Sequence, residues 1–271
     1  MIGIPGNPLL NMVGPVNWLS PLNRGLQFWG LCVPGLVGGS RLMNLCRLGD
    51  KDGNHGTLTN GPTFGSAAGR PGGFGSLSFD GTDDYVAITP TTSFGGGGQA
   101  LTVSAWIYPI TSGENNYGRI VNNGEVSPWC LLMDIDVTGV QWTVGGTATN
   151  SGTITYSAWT HVVGTYNGAA VTMYWNGVQK STASKTGNMP ADSATVWIGN
   201  NSATSRSFAG RIDSVKVYPN RAFTAAEVWH LYNEERLGCP QTLNRLPMRA
   251  YGNLAAPATS GLLLRRRRMA A

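Results

Sequence analysis

The sequence predicts an all-β protein with an antiparallel meander, and two observations support this fold class. Two Asn-Gly pairs, Asn167-Gly168 and Asn176-Gly177, lie nine residues apart between apolar, β-branched and aromatic runs. Asn and Gly tolerate the positive φ of a type I′ turn, whose twist matches that of paired strands. The composition agrees, because 38 of the 271 residues are glycine and only 12% are charged, which suits a sheet protein with many turns. The three predicted strands of the meander are His161 to Tyr166, Ala169 to Trp175 and Val178 to Thr182.

The remaining strands are predicted from alternation within a domain that spans residues 25–238. Residues 1–24 are rich in proline, asparagine and glycine without periodicity, which predicts an N-terminal arm. Between Leu101 and Ile107 apolar residues occupy every second position, as in a strand with one face in a core. The other predicted strands are Leu77–Phe79, Tyr85–Ile88, Gln141–Val144, Thr195–Ile198 and Ile212–Tyr218.

One helix is predicted after the last strand. Thr224 is a candidate N-cap, and Glu227 completes a Thr-x-x-Glu capping box. Phe223 before the cap can pack against Val228, and Gly238 ends the helix. A short helix at this position is expected to cover an open end of the core.

Residues 239–271 lose the strand pattern and are predicted to form a C-terminal arm. Four consecutive arginines near its end supply four of the net +5 charges, so the rest of the chain is close to neutral. Nucleic-acid binding by this body is therefore not expected. The arginines favour contact with phosphate or an acidic protein surface, although such a run is also a common solvated terminus, and Leu262–Leu264 before them favours docking into a partner groove. The four residues are Arg265, Arg266, Arg267 and Arg268.

The sequence shows neither the pattern of a secretory signal nor that of a membrane span. The first ten residues show no cationic region followed by an apolar stretch, so a secretory signal is not expected. No run approaches the roughly 18 apolar residues of a membrane span.

The cysteines lack metal-ligand spacing, so buried reduced thiols are expected. The alternative is a disulfide between the first two. The four cysteines are Cys32, Cys46, Cys130 and Cys239.

Six stretches of the sequence form an ordered set of motifs: Asn54–Leu58, Leu77–Val86, Leu101–Ile107, Trp159–Val163, Tyr174–Gly177 and Gly210–Tyr218. They resemble the motifs of laminin-G-like domains of the concanavalin-A-like lectin/glucanase superfamily. The resemblance covers about residues 25–233 and implies a jelly-roll sandwich of two curved antiparallel sheets. One departure is the first strand, since Phe28–Pro34 lacks the acidic turn that such domains often carry.

Catalysis is not expected. Glucanases of the superfamily place Glu-x-Asp-x-Glu on one strand, which aligns three carboxylates on one face. The nearest stretch, Leu132–Thr138, has only Asp134 and Asp136 on that face. His161 lies on a strand within a fold motif and is expected to be a packed structural residue rather than a base.

A structural calcium site is a candidate. Ca²⁺ takes six to eight oxygen ligands from carboxylates and turn carbonyls. Asp80, Asp83 and Asp84 cluster in a Gly-containing turn, and Asp213 lies in the closing strand; in relatives these regions can lie near a calcium ion. The alternative is that Asp80 only caps its own turn through an Asx hydrogen bond.

Ligand binding by stacking is the other candidate chemistry. Trp129 and Trp142, with Tyr117 and Asn115, lie in the less patterned middle of the sequence and are the candidates for lining a concave face. The alternative for each aromatic residue is a position in the core.

The sequence therefore predicts a non-catalytic structural or binding protein. The preferred hypothesis is a virus (phage) particle component, such as a capsid decoration, fibre or tail protein. Both arms would bind other particle subunits or copies of the chain, while the domain could bind glycans. The alternative is a carbohydrate-binding lectin module of a protein exported by a route the sequence does not show. A membrane partner is not expected.

Overall fold

The protein is a sandwich of two antiparallel sheets, seen in a computed structural model that describes residues 16–32, 37–47, 54–65, 70–73, 75–124, 127–134, 139–192 and 195–238. This confirms the all-β class and agrees with a jelly roll. The eight-stranded sheet runs through β15 (Val178–Ser184), β14 (Ala170–Trp175), β13 (Thr160–Tyr166), β8 (Leu101–Pro109), β17 (Ala209–Pro219), β6 (Ser76–Asp80) and β5 (Thr63–Gly65), with β1 (Phe28–Gly30) also paired to β17. The nine-stranded sheet runs through β12 (Thr147–Thr153), β11 (Gly139–Val144), β10 (Trp129–Asp134), β9 (Arg119–Asn123), β16 (Val196–Ile198), β7 (Tyr85–Ile88), β4 (Gly56–Thr59), β3 (Arg41–Leu42) and β2 (Val37–Gly38).

The predicted meander is strands β13, β14 and β15, but its two turns differ. Asn176 (φ 48°) and Gly177 (φ 80°) both have positive φ, as a two-residue type I′ turn requires. The first turn is instead a three-residue loop in which Gly168 has positive φ and Asn167 does not. There the Asn167 side chain accepts hydrogen bonds from the backbone N–H groups of Ala169 and Ala170, at 3.0 and 2.8 Å. The prediction of a type I′ turn was therefore right for the second pair and wrong for the first.

The main hydrophobic core lies between the two sheets. Alternate residues of the central strands point into it, as the period of two requires, for example Leu101, Val103, Ala105 and Ile107 of β8. Its largest side chains include Trp129 and Trp142, which are fully buried with ring centroids 6.1 Å apart.

A third layer packs on the outer face of the eight-stranded sheet. It consists of helix α1 (Ala225–Arg236) and the chain segment 16–26. Helix α1 has the predicted capping box at Thr224, but it covers this sheet face rather than an open end of the core. Residues 16–24, predicted as arm, belong to the domain, because Val16 and Leu22 are buried here. The buried residues of the layer are Val16, Leu22, Leu26, Trp29, Leu31, Leu45, Val163, Tyr174, Tyr218, Phe223, Val228 and Leu231.

The sandwich has two ends, named here after a residue at each. At the Asp80 end, β6 finishes at Asp80, which pairs with Ala209 at the start of β17. At the Gln27 end, Gln27 precedes β1 and its N–H bonds the carbonyl of Val217 near the end of β17. No helix within the described residues is long and apolar enough to cross a bilayer.

Candidate functional site

The acidic turn at the Asp80 end brings three of the four predicted metal ligands together. Carboxylate oxygens of Asp80, Asp83 and Asp84 all lie within 4.8 Å of one another. The Asx hydrogen bond considered as the alternative is also present, since Thr82 N–H donates to Asp80 Oδ1 at 2.8 Å. Asp84 accepts from the backbone N–H of Asp80 at 2.9 Å. Burial raises the pKa of Asp84, and the charges of Asp80 and Asp83 act in the same direction, so a cation here would relieve carboxylate repulsion.

The fourth predicted ligand, Asp213, does not join this turn. It lies on the outer face of the eight-stranded sheet, 1% exposed, where Arg70 Nε approaches its Oδ2 at 2.9 Å. Asp213 Oδ1 also accepts a hydrogen bond from the backbone N–H of Cys32 at 2.9 Å. It is therefore part of a buried charge cluster and not a calcium ligand with the acidic turn.

That cluster, called the outer ion cluster, consists of Arg70, Asp213, Lys216 and Glu235. Lys216 Nζ lies 2.7 Å from Glu235 Oε1, and Arg70 Nη2 lies 3.4 Å from Glu235 Oε2. Burial would raise the pKa of Glu235, but the Lys216 charge, helped by His161 and Arg70, outweighs it and holds that pKa at about 2. The cluster joins helix α1 to the sheet.

His161 is a packed structural residue, as predicted. It is fully buried and stacks on Trp106 and Tyr232, with ring centroids 5.2 and 5.9 Å away. Burial lowers its pKa to about 4, although the Glu235 charge opposes the shift.

Two loops at the Asp80 end form one continuous polar surface, called the paired-loop surface. Glu114 N–H donates to the Ser207 carbonyl at 2.8 Å, and Ser207 N–H donates to the Glu114 carboxylate at 3.1 Å. Asn115 Nδ2 donates to the Ser205 carbonyl at 3.1 Å, and Arg206 Nη1 donates to the Asn115 carbonyl at 3.3 Å. These reciprocal bonds join residues 114–115 to residues 205–207 across more than 80 sequence positions.

The paired-loop surface contains two of the four residues predicted for ligand stacking, Tyr117 and Asn115. The Tyr117 ring is half-buried, and the Arg206 guanidinium lies 5.3 Å from its centroid. Asn115 is exposed and has φ 50°, a left-handed conformation that asparagine tolerates better than most residues. Arg206 was not predicted as a site residue, because its one local signal is its position in a polar loop before the closing strand.

The other two predicted stacking residues, Trp129 and Trp142, are core residues. Both are fully buried between the sheets, and their indole N–H groups donate to the carbonyls of Phe94 and Thr165 at 3.1 and 3.0 Å. A ring in this position cannot stack on a ligand, so the prediction for these two residues was wrong.

Several further predicted features fall partly or wholly outside the described residues. Asp134 is buried at the end of β10 and accepts from Gln141 Nε2 at 2.6 Å, whereas Asp136 lies outside them. Cys32, Cys46 and Cys130 are free thiols, so no Cys32–Cys46 bridge forms. The described residues likewise exclude Cys239 and the arginines Arg265, Arg266, Arg267 and Arg268.

Comparison with known protein families matches the sequence to one superfamily. The Laminin_G_3 model, described as "Concanavalin A-like lectin/glucanases superfamily", matches residues 80–229. That range includes both the acidic turn and the paired-loop surface. No curated protein sequence matches the chain.

Solved structures with similar folds are toxin binding domains and a carbohydrate-bound module. The binding domain of Paraclostridial Mosquitocidal Protein 1 has a TM-score of 0.57 at 17% identity, over 79% of this chain and 53% of that one. The binding domain of botulinum neurotoxin DC, in complex with SialylT, has a TM-score of 0.54 at 14% identity, over 79% and 52%. Domain 4 of AbnA, a GH43 extracellular arabinanase from Geobacillus stearothermophilus in complex with arabinotriose, has a TM-score of 0.50 at 20% identity, over 65% and 87%. The chain thus spans about half the length of the toxin domains, and identities this low establish likeness of fold alone.

Proposed function

This chain belongs to the concanavalin A-like lectin/glucanase superfamily, whose family model matches more than half of it, and from that membership we propose that it is a non-catalytic carbohydrate-binding domain. The main support for this proposal is the paired-loop surface. It presents an aromatic ring, a guanidinium and an amide side by side, the groups that a sugar needs for stacking and hydrogen bonding. The arabinotriose and SialylT complexes of two structural neighbours support glycans as the ligand class.

The rigidity of the paired-loop surface favours a binding role. A ligand that binds a mobile loop loses free energy to ordering of that loop, whereas a surface already held by its own hydrogen bonds avoids this cost. The bonds between Glu114 and Ser207, together with that from Arg206 to the Asn115 carbonyl, fix both loops before any ligand arrives.

We also propose that the acidic turn binds a structural Ca²⁺ ion. Its three carboxylates can each supply an oxygen, and these oxygens lie within 4.8 Å of one another. The ion would offset the repulsion that contributes to the raised pKa of Asp84. Because the turn and the paired-loop surface share the Asp80 end, the ion would stabilise the region that carries the sugar site.

Substitutions on the paired-loop surface test the proposal. Tyr117→Ala and Arg206→Ala should each weaken binding of an array-selected glycan about three- to tenfold, the loss expected for one stacking or cation–π contact. Trp229→Ala is the matched control, since Trp229 is an exposed aromatic on helix α1 and should bind like wild type. Unchanged affinity in both loop variants would place the sugar site elsewhere.

A role in a virus particle, as a capsid decoration, fibre or tail protein, is proposed for the chain as a whole. Its support is that the segment 16–26 and helix α1, the described elements next to residues 1–15 and 239–271 in the sequence, both belong to the third layer. Arg221, just before helix α1, donates to the carbonyls of Pro21 and Arg24 at 2.7 and 2.6 Å, so the segment 16–26 and the helix lie side by side. We propose that residues 1–15 and 239–271 contact other subunits.

Light scattering on two chains tests assembly through these segments. The full chain should form a defined oligomer, whereas a chain restricted to residues 16–238 should be monomeric because it keeps the folded layers and lacks both terminal segments. A full chain that is monomeric under the same conditions would contradict self-assembly through the arms.

A further inference from the structure

The outer face of the eight-stranded sheet carries a second aromatic surface, next to the third layer. Alternate residues of β8 from Leu101 to Ile107 point into the core, so Trp106 and Tyr108 point to the outer face. Trp106 is buried beneath helix α1, where its ring stacks on that of Tyr232 with centroids 5.8 Å apart. Tyr108 lies two residues nearer the Asp80 end and is only half-buried. The outer face is therefore partly open to solvent at this ring.

Three side chains form this surface, called the outer-face platform: Tyr108, Trp159 and Arg211. Tyr108 and Arg211 are opposite each other in the pairing of β8 with β17, and the Arg211 guanidinium lies 5.2 Å from the centroid of the Tyr108 ring. Trp159 immediately precedes β13, which pairs with the other edge of β8. The Trp159 and Tyr108 ring centroids are 5.5 Å apart, with the rings tilted by 56°. All three residues are half-buried, so the platform presents two aromatic rings and a guanidinium.

The backbone under the platform is held by the sheet. Tyr108 and Arg211 are strand residues. Ser157 N–H donates to the Pro109 carbonyl at 2.7 Å, which ties the segment before Trp159 to the end of β8. Groups that are held in place before binding lose less free energy to ordering when a ligand arrives. The platform is therefore suited to binding.

Arg211 is a cation that forms no ion pair or hydrogen bond within the part of the chain that the structure describes. Two aspartates on strands beside it do not neutralise it. Asp213, two residues further along β17, is paired with Arg70 at 2.9 Å. Asp80 lies on β6, on one side of β17, whereas the Arg211 guanidinium leans to the other side, over a ring of β8. An anionic ligand at Arg211 would thus not have to displace a carboxylate of the protein.

The chemistry of a guanidinium narrows the ligand class. Its five N–H donors lie in one plane, more than contact with a single ring occupies, and they match the two oxygens of a carboxylate or of a sulfate. Contact with the Tyr108 ring also restricts the side chain, so the donors are held beside the aromatic rings. A pyranose can place its apolar C–H face on an aromatic ring. An acidic group on the same sugar then reaches the cation.

We propose that the outer-face platform binds an acidic carbohydrate, a sugar that carries a carboxylate or sulfate group. The sugar ring packs on Trp159 and Tyr108, and the acidic group accepts hydrogen bonds from Arg211. The inference rests on the proposed carbohydrate-binding function. It adds a second site, with a charge preference, on the face of the sheet rather than on the paired-loop surface.

Methyl β-D-glucuronide and methyl β-D-glucoside, which differ only in oxidation at C6, provide the test. In an NMR titration of the full wild-type chain, the glucuronide should bind more tightly by about tenfold, the gain expected for a charge-assisted hydrogen bond. Arg211→Gln should remove this preference, because it removes the cation. Trp159→Ala should weaken binding of both sugars about three- to tenfold through loss of the aromatic contact.

Lys180→Gln is the matched control. It also removes one positive charge from above an aromatic ring, since Lys180 Nζ lies 5.4 Å from the Trp175 centroid, but on strands β14 and β15 at the edge of the sheet. This variant should keep the preference for the glucuronide. An equal loss of preference in Lys180→Gln would mean that net charge, and not the platform, sets the preference. Circular dichroism on each variant verifies folding.

The remaining outcomes separate this inference from the proposed function. Glycan binding without a preference for the glucuronide in the wild type, or with a preference that Arg211→Gln leaves unchanged, would overturn the platform assignment and leave the proposed function standing. Competition by acetate as effective as that by the glucuronide would show an anion site rather than a sugar site. Absence of binding to any glycan by the wild-type chain would overturn both.

Discussion

At the residue scale, His161 shows how the third layer affects stability. The groups facing it are Trp106 and Tyr232, by stacking, and the charges of Glu235, Lys216 and Arg70. Burial lowers its pKa from 6.5 to about 4, so the folded protein holds the ring neutral while the unfolded chain protonates it below pH 6.5. The folded pKa is the lower one, so the His161 contribution is fully present above pH 6.5 and is lost as the pH falls towards about 4.

A pH-dependent denaturation experiment checks this sign. The free energy of unfolding of the wild type should fall by about 2 kcal/mol between about pH 7.5 and about pH 5 on account of His161. In His161→Phe, which keeps a stacked ring without a titrating group, this part of the loss should disappear. Glu235 does not mask the effect. Its pKa is lowered from 4.5 to about 2, so its contribution to stability is lost only as the pH falls below 4.5. An identical pH profile in the variant would refute the assignment.

The acidic turn gives a second prediction at this scale. Calcium should raise the midpoint of thermal unfolding of the wild type, because three carboxylates share one turn. Asp83→Asn should reduce this shift strongly while keeping the Asx bond of Asp80. Differential scanning calorimetry with and without Ca²⁺ measures it, with Mg²⁺ as the ionic control. Equal responses to both ions, or no response at all, would mean that the turn is capped only by its own hydrogen bonds.

Local sequence patterns predicted part of the candidate site. The rest was not predicted because it depends on contacts between residues that are far apart in the chain. The carboxylates of Asp80, Asp83 and Asp84 come together because they are adjacent in the chain. Trp129 and Trp142 lie on strands whose inward face is set by packing against the opposite sheet, and that packing is not visible in their neighbours in the sequence. Asp213 was misassigned because its partner Arg70 is 143 positions away, in a segment without a recognisable motif.

At the element scale, helix α1 is fixed at both ends. Its N-terminus carries the capping box, in which Glu227 N–H donates to Thr224 Oγ1 at 3.3 Å and the Glu227 carboxylate accepts from Thr224 N–H at 2.8 Å. Its C-terminal turn contributes Glu235 to the outer ion cluster, where Trp106 Nε1 also donates to Glu235 Oε2 at 2.7 Å. The helix is thus held to the sheet by charge as well as by apolar packing.

Because Glu235 belongs to the outer ion cluster, it should contribute more to the free energy of unfolding than its neighbour Glu234. Glu235→Gln should lower the free energy of unfolding by about 3–5 kcal/mol, because it leaves Lys216 buried without its anionic partner. Glu234→Gln is the matched control. Burial raises the pKa of Glu234, so neutralising that group should change stability by less than about 0.5 kcal/mol. Urea denaturation of both variants measures the difference, and equal effects would mean that the cluster does not stabilise the helix.

Elements specified by local sequence were predicted well, and those specified by long-range packing were not. The meander and the capped helix carry their turn and cap residues within a few positions of each other. The segment 16–26 has no periodicity, and its burial of Val16 and Leu22 depends on a sheet face formed by strands more than 100 residues later. It was therefore taken for an arm.

At the scale of the whole molecule, the protein is three layers with two distinct ends. The family match begins at residue 80, whereas the third layer uses the segment 16–26 and Arg70 from before that point. The added layer also presents Trp18 at the Gln27 end, while the superfamily core presents the paired-loop surface at the other. The described residues therefore form a superfamily core with an added third layer, and the proposed sugar surface lies on the core.

Carbohydrate binding is tested by retention of the full wild-type chain on a glycan array, read with and without calcium. We expect selective retention on at least one class of glycan and no cleavage of that glycan, since the domain is proposed to bind without catalysis. A folded chain that no glycan retains would contradict the carbohydrate-binding function, and cleavage of a retained glycan would contradict its non-catalytic character.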